Sequence, residues 1–215
     1  MVREVVGEVW HMFLRRFWRT LVIVALLLAP LNLAVGLLDV DLSSERWWLW
    51  VITTAVVSLV AFPWVIGAVV HDAAEHDPRP TDSYRRTAGH LLDLVISAAV
   101  TTAGILLATL AFVVPGLLLM ARWALVVPLI VLEDLPWRRA LARSNELVRG
   151  RTWSLAGIFV ALTLLGGVLA AVPVLVGYLL VGGVLGAWIA TLAIDTVGIA
   201  FYSFAPVVVY RRFTE

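Results

Sequence analysis

Six long apolar runs, none with more than one charged residue, decide what this chain can fold into. They lie at about Thr20 to Leu38, Trp47 to Val70, Leu94 to Val114, Leu117 to Leu132, Ser154 to Leu175 and Gly183 to Val209. A helix that crosses a bilayer needs about 20 mostly apolar residues. Apolar residues make up 62% of the 215. That is too much for a soluble domain to hide, because a globular surface must present polar groups to water. The expected fold is all-α: a polytopic membrane helix bundle of six transmembrane helices, with short cytoplasmic amphipathic helices, in a single membrane domain over residues 1–215. The fourth run is short. Val114-Pro115-Gly116 reads as the turn before it, and Gly177, Gly182 and Gly183 as turning points before the sixth. A cleavable signal peptide does not fit, since the first run starts only near Thr20 and no small-residue cleavage site precedes Asp39.

The basic residues set the expected orientation. All sixteen are Arg. Fourteen flank one side of the runs: Arg3, Arg15, Arg16 and Arg19; Arg79, Arg85 and Arg86; Arg138, Arg139, Arg143, Arg149 and Arg151; Arg211 and Arg212. Arg46 lies on the other side and Arg122 within a run. By the positive-inside rule both termini fall in the cytoplasm of a cell whose inner membrane holds the chain. Trp10, Trp18, Trp47, Trp48, Trp50, Trp137 and Trp153 fall near run boundaries, as an interfacial aromatic belt requires. Cysteine and lysine are absent, which removes disulfides, thiolate chemistry, Schiff-base lysines and P-loop lysines. The outer side has one polar segment, Asp39 to Arg46, too little for an ectodomain.

Two segments on the Arg-rich side align at an offset of 53 residues: Ser83-Tyr84-Arg85-Arg86 and Pro136-Trp137-Arg138-Arg139. Helical spacing puts Tyr84, Thr87, Ala88, Leu91, Leu94 and Val95 on one face, and Trp137, Ala140, Leu141, Ser144, Leu147 and Val148 on the matching face. Two interfacial helices, at about 81–93 and 136–149, are expected to lie in the headgroup plane. A lead-in helix is expected at about 3–19. Looser copies of the pattern occur at Leu14-Arg15-Arg16 and Tyr210-Arg211-Arg212. The same layout follows from the aromatic belt and positive-inside rule without any repeat.

The run Pro115-Gly116, Arg122, Pro128, Glu133, Ala140-Leu141-Ala142-Arg143-Ser144, Gly150 and Trp153, with a similar layout from Gly67 to Ala88, resembles a six-helix bacterial family. That family includes the membrane domain of some glycerophosphodiester phosphodiesterases and the YciC-like inner-membrane proteins. The resemblance implies an accessory membrane domain and no enzyme, because the phosphodiesterase chemistry of those fusions lives in a separate soluble domain.

Candidate sites are few. Arg122 and Asp195 are charges within apolar runs. Counting residues puts both near mid-depth, where pairing would relieve the cost of burial. Such a pair serves as an ion path or as a lock between the fourth and sixth helices. Arg85, Arg86, Arg138, Arg139, Arg143, Arg149 and Arg151 are candidates for anionic-lipid contact. Gly182, Gly186 and Ala190 form a small-residue packing stripe. His71-Asp72-Ala73-Ala74-Glu75-His76 matches no zinc-protease order and reads as a solvated helix end. Glu133-Asp134 reads as a helix cap, with Asp134 capping the helix that Pro136 opens. No catalytic residue, metal site or cofactor is expected, and a nucleic-acid partner is not. The expected partners are membrane lipids and a membrane protein. The expected role is accessory or organising work on lipids at the cytoplasmic leaflet; the alternative is a small transporter or channel subunit using Arg122 and Asp195.

Reporter fusions test the topology. Cytoplasmic reporters are expected to be active at both termini and within 79–86 and 138–151, and silent at Ser43. Cytoplasmic activity at Ser43 would overturn the six-helix count.

Overall fold

The computed structural model describes residues 2–37, 47–75 and 79–214; the expected outer polar segment and His76 lie outside these. Every described element is helical: α1 (Val2–Leu37), α2 (Trp47–Ala74), α3 (Pro80–Ala88), α4 (Leu91–Ala111), α5 (Val113–Arg122), α6 (Val126–Leu132), α7 (Trp137–Val148), α8 (Thr152–Val176) and α9 (Gly183–Thr214). A π turn, Gly177–Val181, joins the last two. Among the described residues, Leu91–Ala111, Val113–Leu132, Thr152–Val176 and Trp188–Thr214 are long and apolar enough to cross a membrane, and Ser58–Ala74 is a shorter apolar helix.

The expected lead-in helix and first span are one continuous helix of 36 residues. Residues 15–21 contain no Gly, Pro or capping signal that would stop it. α9 likewise runs past the expected end at Val209 to Thr214. The two pack antiparallel. Phe13 stacks on Phe201 with ring centroids 5.1 Å apart, and the Trp188 indole N–H donates to the Ala29 carbonyl at 2.8 Å.

Prolines place the breaks elsewhere than the sequence reading did. A proline removes one backbone N–H and crowds the carbonyl four residues back. Pro115 therefore ends α4 at Ala111, and the turn lies at Phe112 (φ −161°, ψ 147°), not at Val114-Pro115-Gly116. Pro115 itself sits in the first turn of α5, where its missing N–H costs nothing. Pro128 acts the same way on Ala124, and the expected fourth span breaks at 123–125. A side chain from α7 repairs this break. The Ser144 hydroxyl donates to the Arg122 carbonyl at 2.6 Å and accepts from the Leu125 N–H at 3.3 Å. Ser144 is wholly buried.

The interfacial helices also differ from expectation. The first stops at Ala88, and a bend at Gly89–His90 separates it from α4. Its buried face is Ser83, Tyr84 and Thr87, while Ala88 is exposed. α3 packs on α2 closely enough that a Cβ at Gly67 would lie 2.5 Å from the Thr87 methyl. α7 buries Ala140, Ser144 and Val148 against α6. The aromatic-Arg-Arg motif opens α7 but lies inside α3, so the offset of 53 does not superpose the two helices.

Burial is concentrated at the Arg-rich end. Val5, Val9, Val65, Val69, Leu129, Ile130, Leu155, Phe204 and Val208 are buried there, whereas Leu106, Leu107, Leu110, Leu164, Val168, Val172 and Leu175 at the other end are exposed. Exposed apolar surface of this extent calls for lipid.

Ser144→Ala removes both hydrogen bonds at the break and leaves buried backbone groups unpaired. It should cost about 1–3 kcal/mol and lower the melting temperature in detergent by several degrees. Ser154→Ala, at an exposed position, is the control. Equal melting of the two variants would remove Ser144 from its bridging role.

Candidate functional site

One face of α4 lines a recess within the bundle's apolar part. Leu94, Ser97, Ala98, Thr101 and Ile105 recur at helical spacing and face Phe62, Pro63 and Ile66 of α2. Met120, Trp123, Ala124 and Val127 close another side, at the broken fourth span, with Phe159, Tyr202 and Pro206 beyond them. The volume is about 480 Å³, within the range of about 300–1,000 Å³ for ligand sites. Two of the lining hydroxyls are turned back on α4: Ser97 donates to the Leu94 carbonyl at 2.9 Å and Thr101 to the Ser97 carbonyl at 2.8 Å. No charged side chain lines the cleft. Such a lining suits an apolar ligand. A smaller recess of about 210 Å³ between α8 and α9 shares Phe159 and Tyr202 with it. Trp123 is seated by Gly104, where a Cβ would meet its ring at 2.6 Å.

A polar cluster holds the end of α2. Asp72 is completely buried and bonds Arg16 at 3.1 Å and Arg19 at 2.8 Å, two guanidiniums three residues apart on α1. Arg16 also donates to the carbonyls of Asp72 and Glu75. Arg211 of α9 donates to those of Ala73 and Ala74, at 3.2 and 3.0 Å. The last carbonyls of a helix lack intrahelical partners and carry partial negative charge, so cations belong there. The expectation of a solvated helix end is thus corrected at His71 and Asp72, which are buried because α1 and α9 close over them, while Glu75 is exposed as expected. His71 Nδ1 lies 3.4 Å from Ser83 Oγ and Nε2 lies 3.3 Å from Glu75. The order Ser–His–acid is that of a nucleophile and its base. Yet Ser83 is fully enclosed between α2 and α3, so no substrate carbonyl reaches it. Tyr84 donates to the Ile23 carbonyl at 2.6 Å, and burial pushes its phenol well above the usual value. Among the described residues no three His, Asp or Glu side chains group to hold a metal.

The structure does not bring Arg122 and Asp195 together. Asp195 accepts from Asn32 Nδ2 of α1 at 2.8 Å. Arg122 ends α5, is exposed, and shares a recess with Asn145, Glu146 and Arg149 of the α7 end. Counting residues along a straight helix placed it deep; the break directly after it and the return of α7 alongside α6 put it among polar neighbours instead. Arg85, Arg86, Arg138, Arg139, Arg143, Arg149 and Arg151 are all exposed. Arg138 lies over the Trp137 ring and Arg151 over Phe213, each at 5.0 Å. Gly182 stands in the turn at φ +66°, while Gly186 and Ala190 pack against Gly177. The cap on α7 comes from Asp93, which accepts from the Trp137 N–H at 3.1 Å. Asp134, at φ +52°, turns instead toward His90 and Arg86, at 3.0 and 3.5 Å. Glu133 accepts from the Tyr210 hydroxyl at 2.9 Å.

Sequence reasoning missed Arg16, Arg19, Asp72 and Ser144. The signal for the first two was present: they lie three residues apart on one helix face. Nothing local marks Ser144, whose partners lie about twenty residues upstream.

The family model described as the membrane domain of glycerophosphoryl diester phosphodiesterase matches residues 92–210. No curated protein and no solved structure matches.

Double-mutant cycles separate the two charge pairings. Arg19→Leu and Asp72→Leu should be coupled by about 0.5–3 kcal/mol in detergent stability, whereas Arg122→Leu and Asp195→Leu should add to within about 0.5 kcal/mol. Strong coupling in the second cycle would restore the Arg122–Asp195 pair.

Proposed function

Because the chain belongs to the family of the membrane domain of glycerophosphoryl diester phosphodiesterase, and its helices make it a multi-pass membrane protein, we propose that it is an accessory protein of the inner membrane that handles lipid without catalysis of its own. The cleft against α4 carries this reading. It is mostly apolar and carries no charged side chain, and its size suits an acyl chain. In this reading six spans are formed by α1, α2, α4, α5 with α6, α8 and α9. Both termini then lie in the cytoplasm, together with the exposed Arg of α3 and α7. Those Arg meet anionic headgroups, at about 1 kcal/mol each. The channel alternative loses its main support, since Asp195 pairs with Asn32 and Arg122 stands apart from it.

The matched region is the membrane domain of its family, which supports work done on the membrane by binding. A partner membrane protein fits the same reading, its docking face being any of the exposed apolar helix surfaces.

Filling the cleft tests the proposal. Ala98→Phe and Ala124→Phe each place an aromatic ring in it. Protein purified in mild detergent is expected to carry co-purified phospholipid by mass spectrometry, and each variant at least several-fold less, with melting temperature as the check on folding. Equal lipid retention by folded variants would remove the cleft from lipid handling.

A further inference from the structure

Arg122 and Arg149 are two exposed cations that line one recess without a counter-ion among the described residues. Both guanidiniums line one recess of about 430 Å³, with Asn145, Glu146, Gly150 and Thr152. Among the described residues neither makes an ion pair or side-chain hydrogen bond. The one carboxylate present, Glu146, bonds Arg143 at 3.6 Å. Two unpaired cations in one recess repel each other, and an anion between them converts that repulsion into attraction. The recess also adjoins apolar surface. Trp153, next to Thr152, is 69% exposed, and the outward face of α8 continues through Val160 and Leu164. An exposed Trp at the foot of an apolar helix marks headgroup level. On the other flank, α5 presents nine apolar or small residues, Val113 to Ala121, before Arg122.

We propose that Arg122 and Arg149 form a binding site for the phosphate of a membrane phospholipid. Guanidinium groups present paired N–H donors that match phosphate oxygens. Asn145 and Thr152 add polar groups at the rim, and the lipid's chains lie along the apolar faces of α5 and α8. Arg122 holds its place because Ser144 fixes the backbone there, bonding the Arg122 carbonyl from α7. The same serine therefore ties the segment carrying Arg122 to the helix carrying Arg149. The site does not share a residue with the α4 cleft, so it stands whether or not that cleft holds an acyl chain.

The test uses the full chain, delipidated in detergent, with thermal stability as the readout. Short-chain phosphatidylglycerol is expected to raise the melting temperature of the wild type. Arg122→Gln and Arg149→Gln should each weaken the half-saturating concentration by at least about tenfold. Arg15→Gln, at an exposed position of α1 outside the Arg set assigned to headgroups, should leave it unchanged. Arg122→Lys keeps the charge without the fork and should fall between the wild type and Arg122→Gln; it also covers the case in which Arg122→Gln fails to fold. A loss in Arg15→Gln equal to that in Arg149→Gln would overturn the site, since binding would then follow surface charge alone. Stabilisation by inorganic phosphate alone, with the same dependence on Arg122, would overturn the lipid assignment.

Discussion

Unpaired backbone groups are costly wherever water is scarce, and this bundle is organised around satisfying them. The end of α2 is the clearest case. The carbonyls of Asp72, Ala73 and Ala74, and that of Glu75 just beyond the helix, are met by Arg16 from α1 and Arg211 from α9, while the Asp72 carboxylate holds Arg16 and Arg19 in position. The contacts bind the N-terminal helix, the C-terminal helix and α2 into one unit. The break between α5 and α6 obeys the same rule. Pro128 opens it and Ser144 closes it. The start of α7 follows it too, with Asp93 of α4 serving as the cap. In each case a polar side chain from a distant helix ties two elements that apolar packing alone would leave free to slide.

Apolar run length and Arg asymmetry made the helical class legible, because both report directly on the solvent around each segment. Helix ends were less legible. α1 and α2 carried the expected signals only at their apolar limits, while Arg3 to Arg19 and Val70 to Ala74 continue the same helices into polar company. Proline positions were visible, but a proline acts four residues upstream, which is why the α4–α5 turn is at Phe112 and not at Pro115. The site was least legible. Arg122 and Asp195 looked like partners because each was a lone charge in an apolar run. Depth counted along straight helices cannot show that one of those helices breaks beside its charge, or that Asn32, an uncharged residue on α1, stands opposite the other.

The repeated aromatic-Arg-Arg motif carries a related lesson. Tyr84 and Trp137 open similar sequence patterns, yet Tyr84 is buried with its hydroxyl on the Ile23 carbonyl, and Trp137 is half-exposed with Arg138 over its ring. Faces predicted by spacing alone are blind to register. α3 buries Ser83 and Thr87 against a glycine of α2, a contact that needs small side chains on both helices. α7 buries Ala140 and Ser144 against α6, where the demand is to repair a broken helix. Similar amphipathic patterns thus serve two different packing problems.

The uneven distribution of burial ties these observations to function. Stability in a protein is local, and segments with few buried contacts open at low cost. The Arg-rich end, with its buried Asp72, is the dense part. α4 has only Leu94 and Ser97 among its buried residues, both near its base, and it forms one wall of the cleft. Opposite it, Trp123 is fixed by the break that Ser144 stabilises and rests on Gly104 of α4 itself. Buried packing is thus concentrated at the Arg-rich end, while the other end turns its apolar side chains outward.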